Sequence, residues 1–100
     1  MRLLDVEAIF QKRAKVIGGV FLLKPHDAIG LVRECKTRKL TVFGAEAFYV
    51  STETIQPSME NSFSIDDIMV DRYEATISFL ESKTASELWF EVMIDAIRGA

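Results

Sequence analysis

From Leu88 to Asp95 the chain alternates without a break. Leu88, Phe90, Val92 and Ile94 are apolar, and Trp89, Glu91, Met93 and Asp95 stand between them. Successive side chains of a strand point to opposite faces, so this period of two describes a strand with one face in a core and the other bearing charge. Such a strand needs a covering layer, and the other regular segments read as helices. Pro25 has the fixed φ that suits a first helical turn, Asp27 follows within that turn, and Ala28, Leu31, Val32 and Cys35 fall at i, i+3, i+4 and i+7. This spacing predicts a helix over 25–37 with Cys35 in the core. A second helix is expected over 71–83, where Asp71-x-x-Glu74 resembles a capping box, Tyr73, Ile77 and Leu80 share an inward stripe, and Ser82-Lys83-Thr84 closes the segment. Over 5–13, Val6, Ile9 and Phe10 share a face, with acids at the start and bases at the end, which predicts a third, short helix.

The segments between are less regular. The pair Gly18-Gly19 argues against a helix, and Val20 to Leu23 reads as a buried strand. Leu40 to Phe43 is β-branched and apolar and ends at Gly44, the expected turning point; Glu46 to Val50 either continues that strand past a bulge or returns beside it. From Ser51 to Ser64 the periodicity disappears and Ser, Thr, Asn and Pro57 dominate, which reads as a long loop, either a binding surface or a mobile segment. The order of elements fits one two-layer α/β (or α+β) domain over residues 1–100, with a small mixed sheet, about three helices and right-handed crossovers. Trp89 and Met93, on the second face of the last strand, are expected to be partly covered by the first helix rather than to form a binding patch.

Composition removes several function classes. The 100 residues are 49% hydrophobic and 27% charged, enough apolar material for one continuous core. The longest apolar run, Val16 to Leu23, is eight residues fenced by Lys15 and Lys24, whereas a membrane span needs about 20. Asp5 and Glu7 interrupt the start of the chain where a secretory signal would be apolar, so a cytoplasmic location is expected. A single cysteine, Cys35, cannot form an internal disulfide, and a single histidine, His26, leaves a multi-histidine metal site without ligands. On a shared helix, nine residues at about 100° each put Cys35 and His26 on opposite sides, about 13 Å apart along the axis, so they are no nucleophile–base pair. Acids at 60, 66, 67 and 71 match no calcium-loop spacing, and no nucleotide, zinc or hydrolase signature is present. The basic stretches interleave with no exposed aromatic run, against a nucleic-acid site. The expectation is a protein without catalysis, cofactor or metal.

Charge is divided unevenly. Residues 1–50 hold nine bases against five acids, a net +4, and residues 51–100 hold three against ten, a net −7. An acidic half favours encounter with a positively charged partner and disfavours phosphate backbones. The segments Phe43-Gly44-Ala45-Glu46-Ala47-Phe48-Tyr49 and Gln56-Pro57-Ser58-Met59-Glu60-Asn61-Ser62, about a fifth of the chain, resemble a pattern in the small bacterial immunity proteins paired with polymorphic or contact-dependent growth inhibition toxins. That resemblance implies a binding protein that occludes the active site of a cognate toxin. Nuclease toxins have basic, phosphate-binding clefts that acidic side chains can occupy. Binding residues do not transfer from such families; the candidate contacts are the acids on the long loop and the helix start after it, Glu53, Glu60, Asp66, Asp67 and Asp71, with Tyr49 as an aromatic anchor. A homo-oligomeric structural or regulatory module, or a small enzyme, are the alternatives from other classes.

Overall fold

The computed structural model describes residues 2–65 and 71–96. Helix α2 spans Pro25–Thr37, the range its spacing predicts, and buries Ala28, Ile29, Leu31, Val32 and Cys35. It ends in a Schellman turn: Leu40 N–H donates to the Cys35 carbonyl at 2.9 Å and Lys39 N–H to the Lys36 carbonyl at 3.1 Å. The residue in the left-handed position of that turn is Lys39, at φ 59°, where glycine is the usual occupant. Helix α3 spans Arg72–Glu81, with the Asp71 carboxylate accepting from the N–H groups of Tyr73 and Glu74. Tyr73 donates its hydroxyl to the Leu40 carbonyl at 2.8 Å, tying the start of α3 to the end of α2.

The first predicted helix is shorter than expected. Helix α1 covers Asp5–Ala8 and is followed by a 3₁₀ turn over Gln11–Arg13. The change of pitch swings Phe10 against Gly30 of α2, where an added Cβ would stand 2.9 Å from the ring. Strands β1, Lys15–Ile17, and β2, Val20–Leu22, form a hairpin around Gly18 and Gly19. Both glycines have positive φ, 59° and 78°, the requirement of a two-residue type I′ turn.

Strand β3 runs unbroken over Val42–Ser51. Gly44 is therefore a bulge and not the expected turning point: the register with the last strand slips between Val42 and Gly44, at a φ of 130°. The larger correction concerns Ser51 to Ser64. Instead of a long loop, Thr54–Ser64 is strand β4, paired with β3 through a two-residue turn at Thr52-Glu53. Its polarity reflects its place at the sheet edge, where only part of each residue meets the core. Pro57 sits opposite Phe48 in this edge strand, a position that edge strands tolerate because the missing N–H faces away from the sheet.

Strand β5, Trp89–Ile94, completes a three-stranded sheet ordered β4-β3-β5. All its pairings are antiparallel, so the sheet is not the expected mixed one with right-handed crossovers: no parallel crossover is required, and the chain reaches β5 from β4 by way of α3. Leu23 and Phe90 exchange both backbone hydrogen bonds, at 2.9 and 2.7 Å, and so join the small hairpin to β5. The result is the expected two-layer α/β domain with three helices. Helices α2 and α3 pack on one face of the large sheet. The core between the layers includes Phe21, Leu23, Leu31, Val32, Val42, Ala45, Ala47, Ile77, Leu80, Phe90 and Val92, all at most 4% exposed. Phe63 stacks on Phe79, and Phe79 meets Phe90 edge to face, at centroid distances of 5.2 and 5.9 Å. Among the described residues, no helix is long and apolar enough to cross a membrane.

Candidate functional site

Cys35 is fully buried, and its thiol is pushed up to about 11, first by loss of water and then by the negative charges of Glu7 and Glu34, against a lowering effect of Arg38. A thiol raised in this way stays protonated at neutral pH and is a packing group rather than a nucleophile. Its neighbour Glu7 is only 1% exposed and accepts from the Leu4 N–H at 2.9 Å, holding the first turn of α1. His26 is exposed at the start of α2. Among the described residues, no three histidine, cysteine or acidic side chains converge as metal ligands.

The sequence-predicted contacts do not form one cluster. Tyr49 lies near the β3–β4 turn and is 55% exposed. Glu53 is in the turn itself, and Glu60 is exposed near the middle of β4. At a rise of about 3.3 Å per residue, Glu53 and Glu60 stand up to about 20 Å apart. Asp71 is occupied in capping α3. Asp66 and Asp67 lie outside the described residues.

An irregularity in β4 organises a different surface. Ala45 pairs with Phe63 and Ala47 with Ser58, so Met59, Glu60, Asn61 and Ser62 together oppose the single residue Glu46. This excursion is fastened by side chains. The Ser62 hydroxyl accepts from Ala47 N–H at 2.8 Å and donates to the Ser58 carbonyl at 2.7 Å. Asn61 donates to the Ser58 hydroxyl at 2.9 Å, and Lys83 donates to the Asn61 side-chain oxygen at 3.0 Å. Ser62 thus replaces a missing ladder bond, and Met59 is held outward at 77% exposure.

The excursion borders the face of the sheet that α2 and α3 leave uncovered. Cross-strand pairs share a face, so Glu46 lies beside Glu91, Phe48 beside Trp89, and Gly44 beside Met93. A cavity of about 320 Å³ crosses this face, lined by Glu46 of β3, Met59, Ser62, Phe63 and Ser64 of β4, and Met93 of β5. Glu46 and Met59 were not among the sequence-predicted contacts. The alternation in β5 does announce the outward side of Glu91 and Met93, but only the register with β3 brings Glu46 beside them.

The three strands of the large sheet and the Thr52-Glu53 turn carry Glu46, Glu53, Glu60 and Glu91 and not one lysine or arginine. On the helical side, Arg33, Lys36, Arg38 and Lys39 are exposed along α2 and its end. Cations approach the large sheet at Trp89, where the ammonium groups of Lys15 and Lys24 lie 4.8 and 5.0 Å from the ring centroid. Trp89 is half-buried, and these contacts come from β1 and the residue before α2, where the sequence points to the first helix. The large sheet therefore carries only acids among its charged residues, whereas the helical side carries both signs, with Asp27, Glu34, Glu74 and Glu81 among its bases. No family model, no curated protein and no solved structure matches the chain.

Proposed function

We propose that the chain is a binding protein that docks its acidic sheet face on a basic site of a partner protein, neutralising that partner by covering the site. The observation that supports the reading is the exclusive presence of acids in the three-stranded sheet and its turn. Glu46 and Glu60 carry the charge near the excursion, Met59 adds apolar contact at the same place, and Glu53 extends the surface toward the hairpin end, with Tyr49 exposed on the opposite face of β3. A surface of one sign accelerates encounter with its complement and repels phosphate-bearing competitors. The β4 excursion is fastened by four side-chain hydrogen bonds, so little further ordering is required on binding. The resemblance to immunity proteins specifies the partner as a bacterial toxin domain, of nuclease type, whose phosphate-binding cleft offers the complementary charge.

The test begins with the genes beside this one. A neighbour encoding a large secreted protein with a toxic C-terminal domain supplies the partner, and that domain is expected to co-purify with the chain. In the double variant Glu46→Lys and Glu60→Lys, far-ultraviolet circular dichroism stays as in the parent while association slows and its dependence on salt shrinks. A reversed variant that binds and protects as well as the parent refutes the assigned face.

A further inference from the structure

The cavity on the acidic face has a composition that singles out one kind of occupant. It is lined by Met59 and Met93, with Phe63, Ser62 and Ser64 along the β4 side and Glu46 from the central strand. At about 320 Å³ it lies at the low end of the roughly 300–1,000 Å³ typical of ligand pockets, a size for one long side chain rather than a cofactor. Methionine walls are unbranched and polarizable and adapt to an aliphatic stem. Glu46 has no ion-pair partner among the described residues, in contrast to Asp27, Glu34 and Glu74, which are paired with Arg13, Arg38 and Lys36. Lys83, the base near the β4 excursion, already donates to Asn61.

From this geometry we infer that the cavity receives an arginine side chain of the partner, its methylene stem between Met59 and Met93 and its guanidinium against the Glu46 carboxylate. Arginine fits better than lysine on two counts. The planar guanidinium is more weakly hydrated than an ammonium and gives up water at lower cost, and its fork of five donors can serve a carboxylate and neighbouring hydroxyl or carbonyl oxygens together. The exposure of Met59 acquires a purpose here. The bonds of Ser62 and Asn61 hold the excursion in place with an apolar side chain facing water, which is a cost to the free protein and a contact in the complex. This inference rests on the proposed docking of a basic partner and names the anchor by which that partner is held.

The probe is Nα-acetyl-argininamide, titrated into protein labelled with ¹³C at its methionine methyls and followed by NMR. Two of the four methionines of the chain, Met59 and Met93, line the cavity and report on it. The expected result is a saturable shift of the Met59 and Met93 methyls. The lysine analogue is bound more weakly, and the neutral citrulline analogue gives no saturable response. Glu46→Gln, which keeps the size of the side chain, is expected to weaken the arginine probe about two- to fivefold, the range for a partly exposed ion pair. Shifts that do not saturate, that are equal for citrulline, or that survive Glu46→Gln unchanged overturn the assignment. Failure of the pocket and failure of the docking face are separable. If a toxin domain is bound and released by Glu60→Lys yet is indifferent to Glu46→Gln and Met59→Ala, the arginine anchor is wrong and the acidic face stands. If the probe saturates and no protein is bound through this face, the docking proposal is wrong and the pocket stands.

Discussion

Replacing Gly44 by alanine tests the central irregularity of the sheet. In an ordinary strand that change stabilises by about 0.5–1 kcal/mol, because alanine has less freedom to lose on folding. Gly44 differs in two ways. Its φ of 130° belongs to a region that side chains rarely adopt, which costs about 1–3 kcal/mol. An added Cβ would also collide with the Phe63 carbonyl oxygen and lie 2.9 Å from both the Phe63 carbonyl carbon and the Ser64 Cα. These are backbone atoms of β4, so relief requires the strands to part near the Ile65 N–H bond to the Phe43 carbonyl, 3.0 Å long. A weakened backbone bond adds about 1 kcal/mol. The expected loss is about 2–4 kcal/mol. With a urea slope of about 1–2 kcal/mol/M for a domain of this size, the unfolding midpoint falls by about 1–4 M. Urea melts followed by circular dichroism and by the fluorescence of the single tryptophan read this directly. Gly18→Ala is the control: Gly18 also has positive φ, but nothing lies within 4 Å of an added Cβ, so it isolates the conformational cost, about 1–2 kcal/mol. A Gly44→Ala protein as stable as the parent, or no less stable than Gly18→Ala, refutes the reasoning.

Two further outcomes test other parts of the molecule. Lys39→Gly is expected to raise stability by about 1 kcal/mol, because a left-handed residue at the end of α2 loses its Cβ penalty; an unchanged or lower urea midpoint contradicts the Schellman assignment. Cys35 ionises near 9.0 when free and is pushed up to about 11 in the fold, so the unfolded chain gives up the proton first. Its effect on stability is constant below about pH 9 and becomes a growing loss as pH rises from 9 through 11. Cys35→Ala, although less stable overall, shows a shallower decline across that interval, and an identical decline refutes the burial of a neutral thiol.

The parts of the fold legible in the sequence are those whose local signals agree with their tertiary surroundings. Pro25, Asp27 and the stripe from Ala28 to Cys35 give α2 its start, direction and buried side, and nothing in the packing opposes them. Asp71 caps α3 as its spacing suggests, and the alternation of β5 survives because one of its faces meets helices and the other does not. Strand β4 was illegible for two physical reasons. Its turn, Thr52-Glu53, contains no glycine or asparagine and takes no positive φ, so the strongest hairpin signal is missing. Its pattern is also broken by the four-residue excursion, which turns a strand of period two into a run of serine, asparagine and proline. The candidate site shares that history. Glu60 and Tyr49 are visible as exposed groups, but Glu46 acquires meaning only from register, which joins residues about 45 positions apart, and register is a property of the folded sheet.

Strand β4 also bears on how the molecule behaves among copies of itself. Pairs in an antiparallel ladder alternate between bonded and non-bonded, and counting from the closing pair Ser51 and Thr54 places Phe48 and Pro57 in a non-bonded pair. The imino ring of Pro57 therefore occupies the outer rim, where another chain would seek a donor. Three residues on one side of it and the serine-laced detour on the other leave no stretch long enough to template an extra strand. The rim is thereby kept from fibril-like growth.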